Sequence, residues 1–176
     1  MDSKKINVLM VDDHSIVRNG IRMMIDTTDD IRIANEAENA EEAQRLLHKG
    51  IFDVVLLDIG LPGMNGFEFL KILHVSHPDL PILMLSMYPA AIYGPRALKF
   101  GASGYLNKNS SLETLTSAIR TVAAGGNHFS PSIVEKNASK ISLTTKIMGG
   151  GRGGKRLRRV RNPSLPIGNF NSKVPN

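Results

Sequence analysis

A chain of 176 residues has room for one ordinary domain and a tail or very small second unit. It has no cysteine, which excludes disulfides and thiolate metal sites, and no stretch nears the roughly 18 consecutive apolar residues of a membrane span. The net charge of +6 is unevenly placed: residues 145–176 hold eight basic residues and no acid, and the remaining 14 basic against 16 acidic residues make the body mildly acidic at −2.

The N-terminus, Met1 to Lys5, leads into a short apolar run that ends in two acids, so no signal peptide is expected and a cytoplasmic setting is. That run, Ile6 to Val11, reads as a strand delivering Asp12 and Asp13. Val17, Ile21, Met24 and Ile25 then share one helical face, with Arg18 and Arg22 pointing away. Ile31 to Ala34 is a weaker strand. Asn39 caps the next helix with Glu42 three residues on; Ala43, Leu46 and Leu47 form its stripe and Gly50 stops it. Asp53 to Leu57 is a strand running into Asp58.

The loop Gly60 to Gly66 precedes a helix with Phe67, Phe69, Leu70 and Leu73 inward. Pro81 to Leu85 runs into Ser86. A fourth helix is expected from Ala91 to Phe100, started or broken at Gly94-Pro95, because proline suits only a first turn. Gly104 to Leu106 is the last strand, with Lys108 just beyond. The fifth helix opens with the box Ser110 to Glu113, carries Leu112, Leu115, Ile119 and Val122, and ends at Gly125-Gly126.

Five strand–helix units by about residue 125, with right-handed crossovers, give a doubly wound α/β sandwich with a parallel sheet. The strands are short and rich in Val, Ile and Leu, as in sheets covered on both faces. In such a sheet the ligand site forms at the carboxyl ends of the strands. Asp12, Asp13, Asp58, Ser86 and Lys108 converge there. Three acids in a partly buried cleft repel by several kcal/mol at an effective dielectric of about 20. A divalent cation relieves that repulsion, and all-oxygen ligation, with no His or Cys suitably placed, points to Mg²⁺ or Mn²⁺. One carboxylate can then attack phosphorus to form an aspartyl phosphate, with the lysine as a second positive clamp and the hydroxyl as a donor. His14 reads as a helix-start residue outside this chemistry.

The motifs Asp12-Asp13-His14, Asp58-Ile59-Gly60-Leu61-Pro62-Gly63-Met64-Asn65-Gly66 and Gly101 to Lys108 resemble the receiver domain of two-component response regulators. With Ala118-Ile119-Arg120, and Ser130-Pro131 after Gly125-Gly126, they look like its NarL/FixJ branch. The resemblance covers residues 5 to about 127. It implies the flavodoxin-like or CheY-like fold with strand order 2-1-3-4-5. It implies Asp58 as phosphoacceptor, Asp12 and Asp13 as acidic pocket, and Mg²⁺ on Asp13, Asp58 and the backbone carbonyl of Gly60. Lys108 contacts the phosphoryl group, Ser86 is the hydroxyl switch, and Tyr105 is the aromatic that moves inward with it. The implied partners are a sensor histidine kinase, a second copy on phosphorylation, and, in intact relatives, DNA. Such a protein is a regulatory phosphoacceptor rather than an enzyme, with at most self-catalysed phosphorylation and dephosphorylation. Asn109 stands where many receivers have a cis proline.

The expected organisation is a receiver at 1–127, a linker with a short helix at 128–144, and a Gly/Arg-rich disordered tail at 145–176. Relatives of this branch continue into a helix-turn-helix domain, whose length and periodicity the tail lacks. The tail reads as a nucleic-acid-binding arm, an inert solvated end, or the out-of-frame translation of a disrupted gene; the third is favoured, with DNA-binding output lost. A tail-mediated nucleic-acid-binding protein is one alternative function. An aspartyl-nucleophile phosphohydrolase ranks lower, because the loop after Asp58 offers Gly60 where a second acid is needed.

Overall fold

The computed structural model describes residues 5–135. The readings of the N-terminal four residues and of 136–176, including most of the linker and the whole basic tail, lie outside the described residues.

Strands and helices alternate: β1 (Ile6–Val11), α1 (Ser15–Ile25), β2 (Ile31–Ala37), α2 (Ala40–Lys49), β3 (Val54–Asp58), α3 (Gly66–Ser76), β4 (Ile82–Ser86), α4 (Ala90–Lys99), β5 (Gly104–Asn107) and α5 (Leu112–Ala123). All strand pairs are parallel and the order is β2-β1-β3-β4-β5. This is the expected doubly wound sheet. The order reverses between β1 and β3, so their carboxyl ends open a crevice there.

The two-residue period of the strands divides the core. Leu9, Val11, Val55, Leu57 and Met84 face one side, where they meet Ala43, Leu47, Phe67, Phe69, Leu70 and Leu73. Val8, Met10, Val54, Leu56, Leu83 and Leu85 face the other, against Ile21, Ile25, Leu115, Ile119 and Val122. Helices α2, α3 and α4 thus cover one face and α1 and α5 the other. At about 25 cal/mol per Å² of buried apolar surface, two such layers supply the main driving force for folding.

Caps fix where the helices begin. The Asn39 side chain accepts from Glu42 N, as expected, and Asn65 accepts from both Phe67 N and Glu68 N at the start of α3. For α5 the cap is Ser111, which accepts from Thr114 N, one residue later than the box read from the sequence.

Two expectations are corrected. Arg18 does not face away: it is 8% exposed, drawn between α1 and β2 by Glu36 and Glu38. Pro95 neither starts nor breaks α4, but lies inside it as the sixth residue. The preceding Gly94 makes this tolerable, since proline's ring restricts its predecessor partly through a Cβ that glycine lacks. The Lys108–Asn109 peptide is trans, as are all peptides among the described residues. β2 also runs to Ala37, three residues further than Ile31 to Ala34, with a register irregularity opposite Val8 and Leu9.

After α5 the chain does not leave the body at once. His128 forms a parallel bridge with Gly104 at the outer edge of β5, and residues 131–135 are helical with Ile133 buried.

Candidate functional site

Each candidate side chain is delivered by the strand end assigned to it. Asp12 and Asp13 follow β1, Asp58 closes β3, Ser86 closes β4, and Lys108 follows β5. Asp12 is 0% exposed, Asp58 4% and Ser86 1%. Asp13 is exposed at the rim.

Lys108 joins the two buried acids. Its Nζ lies 2.7 Å from Asp12 Oδ2 and 2.7 Å from Asp58 Oδ2, and its side chain is only 5% exposed. Burial opposes the charge on Lys108, but the hydrogen bonds and charges of Asp12 and Asp58 outweigh it, and its pKa is raised. The lysine is therefore a cation throughout the neutral range.

His14 corrects the expectation of no suitably placed histidine. It is the N-cap residue of α1 and uses no side-chain cap bond, which leaves its ring free to turn back. Nδ1 stands 2.8 Å from Asp13 Oδ1, 3.1 Å from Asp12 Oδ1 and 3.9 Å from Asp58 Oδ2. Its backbone N donates to Asp12 Oδ1 at 2.8 Å. Adjacency to Asp12-Asp13 was the signal available for it.

Arg18 is the other residue that pattern reading missed. Its Nη1 donates to the main-chain carbonyl of Asp12 at 2.6 Å, Nε to Glu36 at 3.0 Å, and Nη2 to Glu38 at 2.6 Å. Arg22 also pairs with Glu36. The guanidinium so ties the turn carrying Asp12 and Asp13 to the end of β2. Arg18→Met leaves a buried carbonyl without its donor and is expected to lower stability by about 2 kcal/mol, read from urea unfolding.

The remaining two candidates sit beside one another. Ser86 Oγ accepts from Tyr88 N at 3.0 Å, and the Tyr105 hydroxyl donates to the Tyr88 carbonyl at 3.0 Å. Tyr105 is already inside, at 4% exposed, and burial holds its phenol above the usual pKa. Gly60 lies alongside Asp58: a Cβ built there stands 3.6 Å from Asp58 Oδ2.

The donor set fits a hard divalent cation. Ligand atoms of Asp12, Asp13, His14 and Asp58 all lie within 4.8 Å of one another. Asp12 Oδ2 is fully buried, and its partner among the described residues is the Lys108 ammonium. Three carboxylates against one permanent cation leave the cluster negative, and exposed Asp13 leaves room for the waters that Mg²⁺ retains.

The strand ends thus bring together a buried carboxylate at a switch point, a lysine that clamps it, two flanking acids and a hydroxyl. This set offers a nucleophilic oxygen beside positive charge and a hydrogen-bond donor. Residues 8–120 match the model of the response regulator receiver domain. The chain belongs to this family. As a receiver domain it is similar to the response regulator GacA of Pseudomonas viridiflava, at 36% identity over 77% of this chain and 63% of that protein. Among solved structures it resembles a LuxR-family two-component response regulator from Aurantimonas sp. SI85-9A1. That match has TM-score 0.69 and 32% identity, and covers 79% of this chain and 99% of the other. It also resembles the isolated receiver of RcsB from Salmonella enterica serovar Typhimurium, solved with phosphomimetic BeF3⁻. There the TM-score is 0.66 and the identity 25%, covering 75% of this chain and 98% of the other. The chain spans less than two thirds of the length of the curated relatives it matches. Among the described residues no helix is long and apolar enough to cross a membrane.

Proposed function

We propose that this receiver accepts a phosphoryl group on Asp58 from a phosphohistidine of a sensor histidine kinase in the cytoplasm, with Mg²⁺ as cofactor. The observation that carries this reading is the pair of 2.7 Å contacts from Lys108 Nζ to Asp12 and Asp58, two acids buried at facing strand ends. An Asp58 carboxylate oxygen attacks phosphorus, an acyl phosphate forms, and the bond from phosphorus to the donor's imidazole nitrogen breaks. The imidazole leaves with the electron pair and takes a proton from solvent.

Asp12, Asp13, Asp58 and the Gly60 carbonyl are the proposed ligands of Mg²⁺, which when bound neutralises the carboxylates and the incoming phosphoryl oxygens. Lys108 shifts from pairing two carboxylates to pairing the phosphoryl group. Ser86 turns its hydroxyl toward that group and draws the segment between β4 and α4 with it. Tyr105 is already buried, so the displacement falls on Ser86 and that segment rather than on the ring. The chain is on this reading a regulatory phosphoacceptor in the class that controls transcription, with a second copy as partner after phosphorylation. Any DNA contact made by residues 136–176 lies outside the described residues.

The test is intact mass after incubation with acetyl phosphate. The parent is expected to gain one phosphoryl group with Mg²⁺ and none after chelation, and Asp58→Asn to gain none in either condition. If Asp58→Asn takes up as much as the parent, Asp58 is not the acceptor.

A further inference from the structure

The path of the chain after α5 crosses the two elements nearest the hydroxyl switch. His128 N donates to Ser103 O at 2.8 Å, and Tyr105 N donates to His128 O at 3.0 Å, so this residue is stitched to the free edge of β5. Five residues on, Ile133 is 2% exposed and sits in a notch on α4 that exists because residue 94 is glycine. A Cβ at Gly94 would stand 2.5 Å from Ile133 Cδ1. Phe129, between the two anchors, lies against the same apolar cluster as Tyr93 and Ala90.

The anchors connect to the site by hydrogen bonds. Ser86 Oγ accepts from Tyr88 N, the Tyr88 carbonyl accepts from the Tyr105 hydroxyl, and the Tyr105 amide donates to His128. β5 is fixed to β4 through the ladder that pairs Ser86 with Asn107 and Met84 with Tyr105. α4 follows directly from the segment Met87 to Pro89. A pull by Ser86 on that segment therefore moves α4 relative to β5. A tether of five residues, about 17 Å at full extension, holds one anchor on each element. A shift of α4 relative to β5 therefore works against its seating on both.

We propose that the α4–β5 edge is a docking surface for the chain's own residues 127–135, which clip the non-phosphorylated arrangement and are released when the phosphoryl group is held. This rests on the receiver reading above. Coupling of this kind is reciprocal: the factor by which a held phosphoryl group loosens the clip is the factor by which the seated clip weakens binding of that group, so loosening the clip tightens it. It also makes the start of the segment leading out of the receiver the part that reports its state.

The full chain is examined by amide hydrogen exchange, with beryllofluoride and Mg²⁺ as the non-covalent phosphoryl mimic. Exchange in 127–135 is expected to quicken about tenfold on adding the mimic, while peptides holding Asp58 and Lys108 become protected. Gly94→Ala, which evicts Ile133, and Ile133→Ala, which removes the knob, are expected to quicken that exchange without mimic. Both should lower the half-saturating beryllofluoride concentration about fivefold. Protection around Asp58 with unchanged exchange in 127–135 overturns the clip and leaves the receiver reading intact. Faster exchange in both variants with unchanged half-saturation makes the segment a structural cover only, and also overturns it. Absence of protection around Asp58 removes the phosphoacceptor reading of the site, and the clip with it.

Discussion

Lys108→Met is expected to slow phosphoryl uptake on the order of 10²-fold while tightening Mg²⁺ binding, two effects of opposite sign from one substitution. The lysine stands 2.7 Å from oxygens of both Asp12 and Asp58, so without a phosphoryl group its ammonium occupies the negative potential that a metal would use. Methionine fills similar space without that competitor, and the carboxylates become freer to bind Mg²⁺. During phosphoryl transfer the same ammonium faces the incoming oxygens, and its loss removes that stabilisation. Stability without metal should fall by about 3 kcal/mol, because two buried acids lose their partner, and Mg²⁺ should restore much of it. The raised folded-state pKa of Lys108 sets the pH window. Its stabilising contribution is complete below the ordinary lysine value of about 10.4 and is lost only as pH rises through the raised value. Calorimetric Mg²⁺ titration and the rate of mass gain with acetyl phosphate separate the effects. Unchanged uptake would show Lys108 to be a counter-ion of the folded state and nothing more.

Gly66→Ala is expected to destabilise the domain by about 3 kcal/mol, lowering the melting temperature by on the order of 10 °C. Gly66 opens α3 directly over the acceptor residue. A Cβ there would overlap the Asp58 carbonyl oxygen, and would stand 2.8 Å from Ile59 Cα and 2.9 Å from the Asp58 carbonyl carbon. All three neighbours are backbone, so no side-chain rotation relieves the overlap. Either α3 lifts from β3 or Asp58 moves, and phosphoryl uptake should fall with stability. Gly20→Ala is the contrasting case. Gly20 lies in α1 with nothing among the described residues outside its own helix turn within 4 Å of a built Cβ, so alanine should stabilise by about 0.5–1 kcal/mol. Thermal unfolding of both variants checks the pair; a Gly66→Ala variant as stable as the parent would contradict the close approach of α3 to Asp58.

What the sequence made legible follows from how local each signal is. Val54 to Leu57 are all fully buried, and a run so uniformly apolar leaves little choice but a strand covered on both faces, with Asp58 where the run ends. Asp12, Ser86 and Lys108 were readable in the same way, because a short apolar strand fixes which residue emerges at its carboxyl end. Arg18 was not readable. A charge between apolar positions of a helix is ordinarily solvated, and what reverses it is Glu36 and Glu38, 18 and 20 residues later, at the end of β2. The reach of His14 back to Asp12 and Asp13 depends on a ring orientation that spacing does not encode. Pro95 is held within α4 by the combination with Gly94 rather than by either residue's own tendency. The exit segment is hardest of all, since Ile133 is a single apolar residue whose burial depends on a notch 39 residues earlier in the chain.

The most direct measurement of the central claim is chemical mapping of the acceptor. The full chain is treated with acetyl phosphate and Mg²⁺, the acyl phosphate is reduced with borohydride to homoserine, and the peptides are sequenced by mass spectrometry. The expected result is homoserine at residue 58 alone, absent when Mg²⁺ is chelated. Homoserine at Asp12 or Asp13 instead, or the same yield at residue 58 without metal, would contradict the account.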